Sequence, residues 1–366
     1  MSLNKQKRMA LLTMFVALFV ILLAVLLFAG TSISKKEKIG FIMTGSMEEE
    51  GWNGMHYEGV SAACKELKVQ LLVKENVKEF QGECAPAIED LIKQGCKMII
   101  LSSYGYPEEV KDVMEQYPEV SFYCNSFEYH GDNITSYFSR MYQARYLAGI
   151  VAGMKTKTNE IGYVAAMPAI EVNRGINAFT LGVKRVNPDA VVTVAWSDAW
   201  DDEAEERKQA DHLIKDVGVD VITYHQNQPY VAEEADKLGV YSIGYHQKLA
   251  NGSDKHLTAV MCDWQLTYEA IIRQYLRGNA SQNKIFWVGM DENAVKLADF
   301  SDEVTKDIQK EVQKATDEIL MGQDVFSGVI YDNQGNLRCK ENQVIRDEGL
   351  LEQFDWYVEG VEFYEE

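Results

Sequence analysis

The chain has 366 residues, 46% hydrophobic and 25% charged: ordinary proportions for a globular fold, at a length that exceeds one core, so two globular units are expected. Its 36 lysines and arginines stand against 56 aspartates and glutamates, and the formal charge of −20 repels phosphate backbones and anionic lipid surfaces, which argues against nucleic-acid binding.

The first element is an uncharged run, Met9 to Gly30, about long enough to cross ~30 Å of hydrocarbon as a helix. Lys5, Lys7 and Arg8 precede it, which sets its start in the cytoplasm and sends the remainder outside. A cleaved signal has a core of only ~7–15 apolar residues. The run therefore reads as a retained anchor, with cleavage after Ser32 as the alternative, in which case the chain is secreted or periplasmic. Ser32 to Lys38 reads as a polar tether.

The stretch from Ile39 to Leu67 organises the rest of the chain. An apolar run, Ile39 to Met43, gives way to a polar turn with Gly45 and Gly51, then to Met55, Val60 and Cys64 at helical intervals. Strand, loop and helix in that order place Trp52 and Asn53 at a helix threshold, beyond the carboxyl end of a strand, where open α/β sheets bind ligands. An indole face beside a carboxamide suits a flat polar ring. The alternative is structural, with Trp52 a hydrophobic staple and Asn53 the helix N-cap.

Val69 to Lys74 then reads as a strand, Ala85 to Gln94 as a helix ended by Gly95, and Met98 to Ser102 as a buried strand. Pro107 to Tyr117 is helical with Pro107 early in it, and Val120 to Cys124 is a strand. Ile134 to Phe138 precedes a helix from Met141 to Met154 whose small residues Ala144, Ala148, Gly149 and Ala152 permit close packing. The rhythm restarts with strands at Ile161 to Ala165, Val191 to Trp196, Val219 to Tyr224 and Val240 to Gly244, separated by helices over Ala169 to Val186, Glu203 to Val217 and Tyr230 to Leu238. Leu257 to Cys262 is strand-like, Trp264 to Leu276 helical, Lys284 to Val288 a strand and Asp302 to Met321 an amphipathic helix before a β-rich tail with a turn at Asp332 to Gly335. A second half that repeats the first in element order is the signature of two doubly wound α/β lobes around a cleft.

The residues do not assemble an enzyme or a metal site. No HExxH, GxSxG or phosphate-loop pattern occurs, and six histidines are few for a metal site. The acidic run from Asp201 to Glu206 lacks EF-hand spacing and reads as charge bias at a helix N-terminus. Six cysteines allow 15 disulfide pairings and form no CxxC; most sit in strand or helix patterns as small buried thiols. No cofactor is implied. Polar and aromatic residues instead gather after strands: Thr44, Tyr104, Trp196, His225, Tyr245, Asp263 and Trp264. Any one of these has a core role as its alternative, but their shared location matches what a heterocycle-binding cleft requires.

Several segments resemble the basic membrane protein, or PnrA-like, family of type I periplasmic substrate-binding proteins: GWNGMHYEGV from Gly51, RMYQARYLAGIVAG from Arg140, NAFTLGVKRVNP from Asn177, VDVITYH from Val219, CDWQLTYEAII from Cys262 and FSGVIYDNQG from Phe326. The resemblance implies a type I fold with hinge crossovers, preceded here by the anchor or signal segment. It divides the chain into residues 1–36 as anchor and tether, 37–155 with 246–282 as the first lobe, and 156–245 with 283–366 as the second. It also implies an extracytoplasmic, membrane-held receptor for a purine base or nucleoside, delivering it to an ABC permease and ATPase and closing by hinge motion; a ligand sensor for a membrane signalling partner is the alternative. Trp52 and Asn53 match the family's Phe-Asn pair, so the resemblance assigns stacking to Trp52 and hydrogen bonding to Asn53. The ribose-holding aspartate of nucleoside receptors is replaced by Met43 or Thr44, and their late-strand lysine is replaced around Cys262. This implies a branch that takes a free base such as adenine, with Trp196, His225, Asp263 and Trp264 as remaining contacts.

Overall fold

The computed structural model describes residues 36–49, 51–127, 129, 131–246, 249, 252–278 and 285–365. The expected anchor at Met9 to Gly30 lies outside them, and no helix among the described residues is long and apolar enough to cross a membrane. The first series of elements is β1 (Lys38–Ile42), α1 (Trp52–Glu66), β2 (Gln70–Lys74), α2 (Cys84–Lys93), β3 (Met98–Leu101), α3 (Tyr106–Glu115), β4 (Ser121–Asn125) and β5 (Ile134–Ser139). The second is α4 (Met141–Lys155), β6 (Glu160–Ala165), α5 (Ile170–Val186), β7 (Val191–Trp196), α6 (Glu203–His212), β8 (Val221–His225), α7 (Tyr230–Leu238), β9 (Tyr241–Tyr245) and β10 (His256–Cys262). The chain ends with α8 (Trp264–Leu276), β11 (Ile285–Val288), β12 (Val295–Leu297), α9 (Lys306–Leu320), the pair β13 (Ile330–Tyr331) and β14 (Leu337–Cys339), α10 (Asp347–Glu352) and β15 (Val361–Phe363).

Local signals account for most boundaries. Gly95, at φ 93°, ends α2 as its position predicts, since the left-handed turn there admits glycine without strain. The Asp202 carboxylate accepts from the Glu205 backbone N–H at 3.1 Å, so the acidic run does start a helix. The helix expected over Glu203 to Val217 stays regular only to His212; its last turn widens into π geometry over Leu213–Val217 before Gly218, at φ 85°, turns the chain. All six cysteines are buried free thiols.

The strands sort into two large sheets. The first runs β11-β5-β4-β3-β1-β2, all parallel; the second runs β12-β10-β9-β8-β6-β7-β15, parallel except for the β12 edge. In both, the first strand of the series lies between the second and the third, the doubly wound order with a switch point beside that first strand. The fold is the two-lobed α/β arrangement expected.

The described residues cross between lobes three times, at places other than the expected boundaries. Helix α4, expected in the first lobe, packs along α5, β10 and β12 of the second. A Cβ on Gly149 would stand 1.9 Å from Phe179 O and one on Gly182 2.0 Å from Tyr146 O, so glycine is what lets α4 and α5 approach this closely. Strand β10, also expected in the first lobe, pairs with β9, and β11, expected in the second, extends the first sheet beside β5. The crossovers therefore fall at Arg140, Asp263 and the 289–294 loop. Each follows the end of a strand, because a parallel strand is tied to its sheet by hydrogen bonds while the segment after it is free to change partner.

Candidate ligand-binding site

The two switch points face each other. In the first lobe the crevice between β1 and β3 is edged by Thr44, Ser102 and the start of α1; in the second, that between β6 and β8 is edged by His225, Gln226 and Asn227. The lobes touch here through backbone: Trp52 N–H donates to Asn227 O at 3.3 Å. Gly51 makes this approach possible. Its φ of 78° and ψ of −138° disfavour any side chain, and a Cβ there would lie 1.8 Å from Asn227 O.

A run of rings links the lobes across this contact. Trp52 is half-buried, and its indole N–H donates to Ser102 O at 3.2 Å. Its ring centre is 4.2 Å from that of His56, 5.7 Å from Trp264 and 5.0 Å from His246 of the second lobe. From His246 the rings continue to Tyr245 at 3.7 Å, His225 at a further 4.4 Å and Trp200 at 6.0 Å. Below Trp52, His56 Nδ1 is hydrogen-bonded to the Tyr268 hydroxyl, which meets the Tyr137 hydroxyl at 3.2 Å, so that imidazole is anchored in the first-lobe core.

Behind the rings lies an interlobe cavity walled by Tyr142, Arg145, Glu171, Arg174, His225 and Tyr245 among others, with about 270 Å³ of space between the atoms. It has room for about one water-sized sphere, whereas ligand pockets run to ~300–1,000 Å³, so a heterocycle enters only if the lobes part. Two of its cations are buried. Arg145 is 1% exposed, with its guanidinium 4.0 Å from the Tyr245 ring centre and its Nη1 donating to Thr223 Oγ1 at 3.4 Å. Arg174 is 2% exposed and donates to Leu350 O at 2.6 Å; burial lowers its pKa to about 10, which leaves it charged at neutral pH. Burial first, and then the positive charge of Arg145, hold His225 and His246 well below the ordinary imidazole value; burial and then His246 do the same for His56. All three are neutral imidazoles near pH 7. The arrangement offers flat faces, donor-rich guanidiniums and, among the described residues, a single lining carboxylate. Among the described residues no cluster of three or more His, Cys, Asp or Glu stands where it could hold a metal ion.

The residues singled out in the sequence divide among several places. His225 and Tyr245 line the cavity, and Trp52 stands one ring away from them. Asn53 is 4% exposed, its Nδ2 donating to Glu49 Oε2 at 2.8 Å and its Oδ1 accepting from Thr44 Oγ1 at 3.1 Å, so both it and Thr44 brace the loop after β1. Tyr104 packs its ring 5.6 Å from Phe127, over which Arg174 lies at 5.8 Å. Trp264 is buried against His56 at 3.8 Å, beneath Trp52. Asp263 caps α8, accepting from Leu266 N–H at 3.3 Å, at a crossover. Trp196 stands apart, stacked on Phe363 at 6.2 Å, because β15 covers the edge of the second sheet where β7 ends. Arg145, Arg174, Tyr142 and the ring of His56 were not among the expected site residues. The signal for the arginines was in the sequence: Arg145 is the one charge between Arg140 and Lys155 on a helix of small apolar residues, and Arg174 interrupts the apolar face of α5.

The family described as ABC transporter substrate-binding protein, PnrA-like, matches residues 36–326. A purine-binding protein of Brucella abortus is 32% identical over 332 residues, covering 90% of this chain and 93% of that protein. A putative ABC transporter glucose-binding protein of Haloferax volcanii, TsgA13, is 29% identical over 91% of this chain and 82% of its own length. Among solved structures, a transcriptional activator of the comK gene from Bacillus halodurans superposes with a TM-score of 0.68 at 23% identity, over 78% of this chain and 98% of that one, which shows a shared fold.

Proposed function

The chain belongs to the PnrA-like family of ABC transporter substrate-binding proteins, and on that premise we propose that it binds a purine base or nucleoside between its lobes and closes on it by hinge motion. One observation carries this reading: the rings of Trp52, His246, Tyr245 and His225, drawn from both lobes, run unbroken to a cavity at the facing switch points. Base–aromatic stacking contributes ~1–3 kcal/mol per base in other systems, and it acts only when flat faces can be brought around the guest. The purine-binding relative of Brucella abortus, similar over nine-tenths of both chains, supports the choice of guest.

In this reading the lobes part at the Trp52 to Asn227 contact, the base slides against Tyr245 and His225, and the return of Trp52 covers it. Bending is confined to the three crossovers, since each lobe is braced by its own sheet. The closed receptor presents its ligand to an ABC permease and ATPase, and the apolar run from Met9 to Gly30 holds it at the outer face of the membrane. Isothermal titration of the full-length chain in detergent with purine bases, nucleosides and glucose tests the proposal. Saturable binding of a purine is expected; binding of glucose with no purine binding overturns it.

A further inference from the structure

Resting on the purine reading, we propose that the cleft selects 6-oxopurines over 6-aminopurines, and that Arg145 is the residue that reads the difference. Arg145 is among the largest wholly buried side chains of the molecule and lines the interlobe cavity. Its Nη1 makes one long hydrogen bond, to Thr223 Oγ1 at 3.4 Å, while Nε and Nη2 have no hydrogen-bond partner among the described residues. Those two nitrogens lie on one edge of a rigid plane and point their N–H groups in parallel, the fork that matches two adjacent acceptors. The plane is held between the rings of Tyr245, at 4.0 Å, and Tyr163, at 5.3 Å, so it cannot turn away to find another partner.

Among the described residues no acceptor meets the fork: His225 and His246, as neutral imidazoles, each offer one acceptor nitrogen and Glu171 offers a carboxylate, yet none of them bonds to Nε or Nη2, and Glu171 acts on Arg174. A guanidinium has donors only, so the absent partner is an acceptor pair brought by the ligand. On its imidazole side a 6-oxopurine presents O6 and N7, both acceptors, and arginine pairs with them in two parallel bonds; a 6-aminopurine presents an N–H donor beside N7, which suits asparagine or glutamine instead. Among the described residues no asparagine or glutamine lines the cavity. Adenine would therefore set N–H against N–H at the one buried fork. Base and nucleoside share this edge, so the selection is independent of the ribose.

The experiment is a set of equilibrium titrations of the full-length chain in detergent with hypoxanthine, adenine and unsubstituted purine, repeated on Arg145→Gln. Hypoxanthine is expected to bind ~5- to 150-fold more tightly than adenine, the range of discrimination of one bidentate pair. In Arg145→Gln, whose carboxamide matches the amino edge, the ratio is expected to collapse or invert. Adenine binding as tightly as hypoxanthine to the native chain overturns the selection and leaves the purine reading standing, as does an unchanged ratio in the variant. Absence of binding by all three compounds overturns the purine reading itself and this inference with it. Should Arg145→Gln fail to fold, the native hypoxanthine to adenine ratio decides the matter alone.

Discussion

Replacing Gly51 by alanine separates lobe closure from ordinary stability. The substitution has two costs that act on different states. The first is backbone strain: Gly51 sits at φ 78° and ψ −138°, a region almost reserved for glycine, and an alanine held there costs ~1–3 kcal/mol whether the lobes are together or apart. The second is a collision. The new Cβ would lie 1.8 Å from Asn227 O, far inside any real contact, so the loop must withdraw and the 3.3 Å bond from Trp52 N–H to Asn227 O must break. Loss of that bond, at ~0.5–1.5 kcal/mol, together with repacking at ~1–3 kcal/mol, biases the lobes apart by about 1.5–4.5 kcal/mol. If ligand is held only by the closed form, the apparent Kd rises by up to the same factor, ~10- to 2,000-fold. Calorimetric titration with the tightest-binding purine reads the second cost, and the melting temperature of the unliganded chain reads the first. A fall in melting temperature with affinity within about threefold of native would refute the claim that this contact closes the cleft.

Other substitutions divide the candidate residues by role. Trp52→Ala is expected to weaken purine binding ~5- to 150-fold, the range of one lost stacking contact, as measured by the same titration; unchanged affinity would remove Trp52 from the site. Asp263→Ala is expected to cost ~1 kcal/mol of stability as a lost N-cap, lowering the melting temperature by ~2–4 °C, while affinity holds, because the carboxylate is engaged by Leu266 N–H. Acid should destabilise the fold steeply. The three buried imidazoles titrate well below 6.5 when folded and near it when unfolded, so the unfolded chain binds the extra protons and their stability is lost as pH falls below ~6.5. Glu206 opposes this: burial raises it to about 8, so between its unfolded value and pH 8 it favours the folded state more as pH falls, by ~1.4 kcal/mol per unit. Three groups against one, urea unfolding between pH 6.5 and 5 is expected to show a net loss of stability as pH falls, and a flat profile would contradict the burial of neutral histidines.

Much of the fold was legible because hydrophobic period and punctuation agree. Met98 to Leu101 is an unbroken apolar strand of the kind a parallel sheet buries on both faces, and Gly95 and Gly218 stop their helices where the periodicity does. The lobe to which an element belongs was harder to see. Helix α4 and strands β10 and β11 carry the right periodicity for their type, yet an apolar face does not say which sheet it will cover, and each of the three was expected in the other lobe. The candidate site shows the same division. Strand-end position led to His225 and Tyr245, which do line the cavity, but equally to Trp196, which the C-terminal strand β15 draws to the far edge of its sheet. Asn53 met a neighbour no local reading foresaw, since Glu49 returns through the loop to take its amide. The buried arginines come from helices, not from the strand ends where binding residues are expected. A charge on an apolar helix face was their signal.

A crystal structure of the chain grown with a bound purine base would test the central claim most directly. The base is expected between the lobes, against Tyr245 and His225, with Trp52 closed over it and the Gly51 loop in contact with Asn227. A base held on an outer surface, with the interlobe cavity collapsed as it is here, would contradict that claim.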